Sequence, residues 1–309
     1  MPKNLIYLII VTGTLCCCKP FNSNTTKKAQ LSYISSSELV AYPSGSTISF
    51  YGGNIYLMGD DSRTLLVLDP SLNITDTITL FPGSNTRIKK IDKADIESSE
   101  WIGNKLYLFG SGSLSSQRDS GFVFNPETRQ IERIELGSFY QKIRESGIPE
   151  LNLEGAALVK DHLLFVNRSN LRHKNNHLIL SPVKNLLHAP SHTITLTLPG
   201  KAGVSGIVYL QEMDLLLLTA SEEETSSAYG DGVIGESYLG LIPDISAKLA
   251  LAEIAPDQWI PLGGIHNDFL GQKIESVCAL STAENKLKLF LVADNDNGTT
   301  RIFNLALQL

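Results

Sequence analysis

Apolar positions along this chain fall in short runs, some alternating with polar residues and some apolar throughout. Clusters of Gly, Asn, Asp and Ser cut these runs apart. Such spacing predicts strands and turns, and helical periodicity is scarce. One phrase recurs: "TISFYGGNIYLMGDD", "DIESSEWIGNKLYLFGSGS", "NLEGAALVKDHLLFVNRSN", "VSGIVYLQEMDLLLLTASEEE" and "KIESVCALSTAENKLKLFLVADNDN". Each copy reads as a short strand, a turn, a second and more apolar strand, then a small or polar cluster. A third strand follows in "RTLLVLD", "SGFVFNPE", "HLILSPV", "ESYLGLIP" and "TTRIFNLAL". A fourth follows in "ITDTITLF", "QIERIEL", "HTITLTLP" and "DQWIPL". Four antiparallel strands per copy is the composition of a β-propeller blade.

Aligning the copies places Ser49, Glu97, Glu154, Ser205 and Glu275 at one equivalent position, at intervals of 48, 57, 51 and 70 residues. The last copy ends at Leu309 after its third strand, while "QLSYIS" near the start belongs to no copy. Pairing that strand with the last blade would close the ring and leave no open edge. The expectation is therefore an all-β chain, with residues 31–309 forming one propeller of five blades. A sixth blade would have to hide in the 70-residue interval. A two-sheet sandwich explains the strands but not their recurrence.

The first strand of a propeller blade lines the central channel, and equivalent positions point the same way. Glu97, Glu154 and Glu275 are thus expected to converge on the axis, with Asp95 on the face of Glu97. Three carboxylates brought together repel one another, and burial adds to the cost. A hard cation such as Ca²⁺ held by Glu97, Glu154 and Glu275 would compensate. So would Arg118, Arg168 and Arg172, which follow the second strands. In a third arrangement each glutamate accepts hydrogen bonds from the backbone of the neighbouring blade and acts only as a latch.

The clusters Gly59–Asp61, Gly110–Ser113, Asn167–Asn170, Ser221–Glu224 and Asp294–Asn297 should share one rim. Its acids, amides and hydroxyls suit a cation, a sugar or another polyol, although turns are hydrophilic in general. "DNDNG" fails the EF-hand pattern, because its glycine falls one place early and Leu305 stands where the bidentate glutamate belongs. The chain carries no G-x-S-x-G, no H-E-x-x-H and, beyond the N-terminal segment, no C-x-x-C.

The net charge of −6 and the lack of a basic block argue against nucleic acid as a partner. Residues 1–18 read as an address. Lys3 precedes a short apolar stretch, then "LCCCKP", in which Leu15 stands three residues before Cys18. That arrangement resembles a bacterial lipobox, with Cys18 as the lipidated residue and Cys16 and Cys17 as alternatives. An ordinary secretory signal is the competing reading. Residues 19–30 then form a polar tether from an envelope membrane, expected to be the outer one, to the propeller. Only Cys278 remains in the folded region, in a strand-like run that suits a buried, inert thiol.

"DIES", "NLEG" and "KIES", each leading into an apolar strand, resemble the acidic phrase of phytase-like esterase propellers. With "LTASEEETSSAYGDG" and "LVADNDNG", the pattern is similar to uncharacterised bacterial propeller lipoproteins allied to that group. The resemblance matches Glu97, Glu154 and Glu275 to the repeated acidic position, while Ser49 and Ser205 depart from it. It implies hydrolysis of esters or phosphoesters. The residues themselves leave three roles open: binding a small polar ligand or divalent cation, hydrolysis of phosphoesters, esters or glycosides by channel glutamates, and engagement of a protein partner.

Overall fold

The computed structural model describes residues 28–225, 227, 232–295 and 298–309. The expected signal, Cys18 and most of the tether lie outside the described residues, as do Asp296 and Asn297 of the last rim cluster.

The first strand, β1 (Gln30–Leu39), belongs to the last blade. Blade 1 comprises β2 (Gly45–Tyr51), β3 (Asn54–Gly59), β4 (Thr64–Leu68) and β5 (Ile74–Thr79). Blade 2 comprises β6 (Ile96–Ile102), β7 (Lys105–Gly110), β8 (Ser120–Asn125) and β9 (Gln130–Glu135). Blade 3 comprises β10 (Leu153–Val159), β11 (His162–Asn167), β12 (Asn176–Pro182) and β13 (His192–Leu196), with the short β17 (Glu253–Ile254) added in parallel at its edge. Blade 4 comprises β14 (Ala202–Leu210), β15 (Leu215–Glu223), β16 (Ile234–Pro243) and β18 (Gln258–Pro261). Blade 5 comprises β19 (Ile274–Ala283), β20 (Lys286–Ala293), β21 (Thr300–Gln308) and, outermost, β1.

The inner strands β2, β6, β10, β14 and β19 touch in that order, and β19 returns to β2, so the ring closes on itself. The closure is the expected one, with β1 antiparallel to β21 from Gln30↔Gln308 to Leu39↔Thr300. Ala29, just before the strand, is buried, and its backbone exchanges two hydrogen bonds with the Gln258 side chain.

The very apolar second strands have a plain physical cause. Each is sandwiched between two neighbouring blades, so both of its faces are buried. In β15, Leu215 and Leu217 pack towards blade 5 while Leu216 and Leu218 pack towards blade 3. In β3, Tyr56 and Met58 face blade 2 while Ile55 and Leu57 face blade 5. Period-two alternation thus distributes the apolar residues into five clusters, one in each gap between blades. The outer strands β5 and β9 are largely exposed and read as mixed sequence.

The long intervals hold helices rather than a sixth blade. Helix α1 (Gly137–Glu145) buries Phe139, Tyr140 and Ile143 between blades 2 and 3, and Tyr140 Oη donates to Gly110 O at 2.6 Å. The 70-residue interval contains α2 (Ile245–Lys248), β17 and a loop that buries Phe269 against Phe303, with ring centroids 4.3 Å apart. Cys278 is fully buried among apolar neighbours, which raises its thiol pKa.

Candidate functional site: the channel mouth

Each inner strand begins with the same irregularity, in which one extra residue is unmatched by the second strand. The register slips between Gly45 and Thr47, Ile96 and Ser98, Leu153 and Gly155, Val204 and Gly206, and Ile274 and Ser276. The unmatched residues are Ser46, Glu97, Glu154, Ser205 and Glu275. A bulge re-aims the side chain it carries, which is why these five positions are equivalent. The expected blade 1 member, Ser49, is displaced: it lies three residues further along β2, where its Oγ accepts from Trp101 Nε1 at 3.2 Å. Sequence alignment could not register a bulge, and the correct partner, Ser46, turns the first interval into 51 residues.

The two serines and the three glutamates do different things at this shared position. Ser46 Oγ donates across the blade boundary to Ile96 O at 2.5 Å, and Ser205 Oγ to Ile274 O at 2.5 Å. Those carbonyls immediately precede Glu97 and Glu275. The backbone latch expected of the glutamates is therefore made by serines, and it holds the neighbouring glutamate bulges in place.

The glutamates line a cavity of about 440 Å³ at the channel mouth, to which all five blades contribute side chains. Asp95, Arg118 and Arg168 line it too, whereas Arg172 is exposed and outside it. Of the rim clusters, Asp60, Asp61, Ser169, Asn170, Glu223 and Asp294 reach the cavity. Ser111 and Ser113 instead support Asp95 through their hydroxyls.

Two ion networks divide the mouth. Across blades 1 and 2, Lys93 Nζ bridges Asp60 and Asp95, the latter at 2.8 Å, and Arg118 Nη1 meets Asp95 Oδ2 at 2.5 Å. Burial alone would raise Asp95, but Lys93 and Arg118 hold it below the usual carboxylate range. Asp60 is pushed up to about 6 by burial, against the pull of Lys93. Asp95 also adopts φ 57°, a left-handed backbone that Asp tolerates better than most residues and that turns the chain into the bulge.

Across blades 3 to 5, Arg168 Nη2 reaches Glu223 Oε2 at 3.2 Å, and Lys273 Nζ reaches Glu223 Oε2 at 3.5 Å and Glu275 Oε1 at 2.9 Å. Burial would raise Glu223, yet Lys273 and Arg168 keep it low. Lys273 is held charged, well above its ordinary value, because Glu275 and Glu223 outweigh its burial. Gly203 makes room for the arginine: a Cβ there would lie 2.7 Å from Arg168 Cγ.

Glu154 and Glu97 stand apart from both networks. Asn152 Nδ2 donates to Glu154 Oε1, but burial pushes this carboxyl up to about 8 despite Arg168 nearby. Glu97 is half-buried and has no hydrogen-bond or ion-pair partner among the described residues. Burial and then the charges of Asp60, Asp95 and the other two glutamates raise it well above its ordinary value. At neutral pH Glu154 favours the protonated form.

One group of carboxylates among the described residues is tight enough for a metal ion: Asp60, Asp95 and Glu97, with oxygens within 4.8 Å of one another. Glu154 and Glu275, expected beside Glu97 as calcium ligands, fall outside that group. Lys93 already supplies its counter-charge by bridging Asp60 and Asp95. Ca²⁺ takes six to eight oxygens at about 2.3–2.6 Å, so at this group it would compete with Lys93 for two of the three carboxylates.

Lys93, Lys273 and Asn152 were not singled out from the sequence. A signal existed, since each stands two residues before an acid: Lys93–Asp95, Asn152–Glu154 and Lys273–Glu275. Side chains two apart on an extended chain share a face.

A family model described as a family of unknown function, DUF6929, matches residues 41–307. The chain belongs to this DUF6929 family. Its match runs from just after the closing strand β1 to the end of β21, so it embraces every glutamate of the mouth. Among curated proteins none matches. The crystal structure of Myxococcus xanthus glutaminyl cyclase aligns over 90% of this chain and 96% of its own, with a TM-score of 0.52 and 12% identity. A tail fibre of Staphylococcus aureus phage P68 aligns over 91% of this chain and 53% of its own, with a TM-score of 0.46 and 9% identity. At such identities the cyclase likeness is one of fold.

Proposed function

We propose that this DUF6929 protein is a binding protein of the bacterial envelope, lipid-anchored through Cys18, whose channel mouth takes a small polar ligand bearing a positively charged group. The observation that carries the reading is Glu97. It is a carboxylate without a hydrogen-bond or ion-pair partner among the described residues, in a polar cavity of about 440 Å³, a volume within the range of small-molecule sites. Every blade contributes to the cavity wall, and the ion networks on either side hold that wall rigid. An organic ammonium or guanidinium group approaching Glu97 would favour its charged form and release a proton, so binding should strengthen as pH rises. The anchor rests on "LCCCKP" alone and is tested by the mass of the mature N-terminus and its shift in Cys18→Ala.

The test of the site is calorimetric titration with methylamine, guanidinium, glycerol and CaCl₂, on the wild type and on Glu97→Gln. Binding of a cationic probe that Glu97→Gln abolishes supports the reading. Absence of cation binding, or binding indifferent to Glu97→Gln, overturns it.

A second reading is favoured by the environments of Glu154 and Glu275. Glu154 keeps its proton near neutral pH, while Glu275 is ion-paired with Lys273. A carboxyl that keeps its proton in the same cavity as an ion-paired one suits a general acid and a general base for hydrolysis of phosphoesters, esters or glycosides. Turnover of nitrophenyl phosphates, acetates or glycosides that is lost in Glu154→Gln would favour this reading over the first.

A further inference from the structure

Resting on the reading that the mouth binds a small cationic group, we infer that its ligand is a zwitterion of the α-amino-acid type. The ammonium sits at Glu97 and Asp60, and the carboxylate at Arg168. Among the described residues, buried polar atoms on side chains of the cavity wall make no hydrogen bond at Asp60 Oδ1, Asp61 Oδ1, Glu275 Oε2 and Arg168 Nη1. These side chains are 13%, 6%, 5% and 4% exposed, so bulk water does not satisfy them. Leaving such an atom without a partner is costly, more so for a charged group, and each one in a native structure calls for a partner.

These atoms are not of one kind. Three are acceptors and belong with Glu97, whereas the fourth, on Arg168, is a guanidinium donor. A ligand with only a positive group would leave Arg168 Nη1 unmet, and one with only a negative group would leave the carboxylates unmet. Arg168 Nη2 is committed to Glu223 Oε2 and to Ser221 O at 3.3 Å, so the remaining arm offers one directed contact for a carboxylate. Gly203 lets the guanidinium lie in that pose.

The charge of the wall points the same way. Eight Asp or Glu and seven Lys or Arg side chains line the cavity. A wall that carries both signs offers partners to a ligand that carries both charges and no net one. Its location in two separated networks, one on blades 1 and 2 and one on blades 3 to 5, gives such a ligand a direction across the mouth.

The experiment is calorimetric titration of the intact propeller with L-alanine, L-glutamine, L-lysine and L-glutamate. It is run beside ethylamine and propionate, which are L-alanine without its carboxylate and without its amine. At least one amino acid should bind, and where L-alanine does so it should exceed both analogues by at least about tenfold. Arg168→Met should remove the preference for an amino acid over its amine, and Gly203→Ala should weaken it by displacing the guanidinium without deleting it. If ethylamine binds as tightly as every amino acid, the zwitterion is wrong while the cation site stands. If the amines and the amino acids all fail to bind, both readings fall. Should Arg168→Met not fold, the comparison among ligands on the wild type decides the matter alone.

Discussion

The serine bulges of blades 1 and 4 and the glutamate bulges of blades 2, 3 and 5 share one backbone position and have opposite fates. Ser46 and Ser205 reach sideways to a carbonyl of the next blade and brace the ring. Glu97, Glu154 and Glu275 are too long for that contact and turn into the channel mouth, where the cavity receives them. A repeat therefore dictates where a side chain starts but not what it does. Its length and charge decide whether it closes the ring or furnishes the opening. The two classes are also coupled, because each serine grips the carbonyl just before a glutamate.

The largest effect should come from removing support on the glutamate side. Lys273→Ala strands Glu275 and Glu223 without their shared cation, and breaking such a buried pair costs about 3–5 kcal/mol. Urea unfolding near neutral pH measures it.

Next comes the pH dependence of Glu154. Its folded value of about 8 lies above the ordinary 4.5, so between those values the folded chain binds more protons than the unfolded one. Stability from this group is present in acid and is lost as pH climbs from about 4.5 to 8. Glu154→Gln should flatten the fall in melting temperature over that window, by the equivalent of about 3–5 kcal/mol. Asp60, raised for the same reason, contributes a smaller decline that the variant retains.

The serine latches should be worth less and should differ. Ser46→Ala is expected to cost about 1–3 kcal/mol. Ser205→Ala should cost about 1 kcal/mol, since Ile274 O keeps Ser221 Oγ as a donor at 3.0 Å. Equal losses would show that the second donor does not compensate.

The smallest structural effect belongs to Glu97→Gln, which changes a group without a partner among the described residues. In acid, where the carboxyl is neutral in folded and unfolded chain alike, it should alter stability by less than about 0.5 kcal/mol. Above about pH 4.5 it should flatten the fall in stability, and it should abolish cation binding. A large destabilisation would mean that Glu97 is structural after all.

Much of the architecture is legible along the chain. The period-two packing of Leu215–Leu218 or Ile55–Met58 demands two buried faces, which only a strand between neighbouring blades provides. The orphan strand at Gln30 predicts the closure. The glutamates are legible as well, because an acid in an otherwise apolar strand start stands out, and Arg118 and Arg168 follow from their place after the second strands. The lysines were masked by abundance: one Lys two residues before an acid is a weak signal on its own until a second carboxylate is known to lie across the blade boundary.

The sequence by itself determined a five-bladed ring with three acids on its axis, because both are local patterns repeated at a regular spacing. The tertiary structure alone decided the rest. It set the bulge that makes Ser46 rather than Ser49 the fifth equivalent, the pairing of Lys93 with Asp60, and that of Arg168 with Glu223. A bulge adds one unmatched residue and so reverses the facing of what precedes it, and contacts between blades depend on the twist that brings distant strand ends together. Neither is written in the order of residues within any one strand.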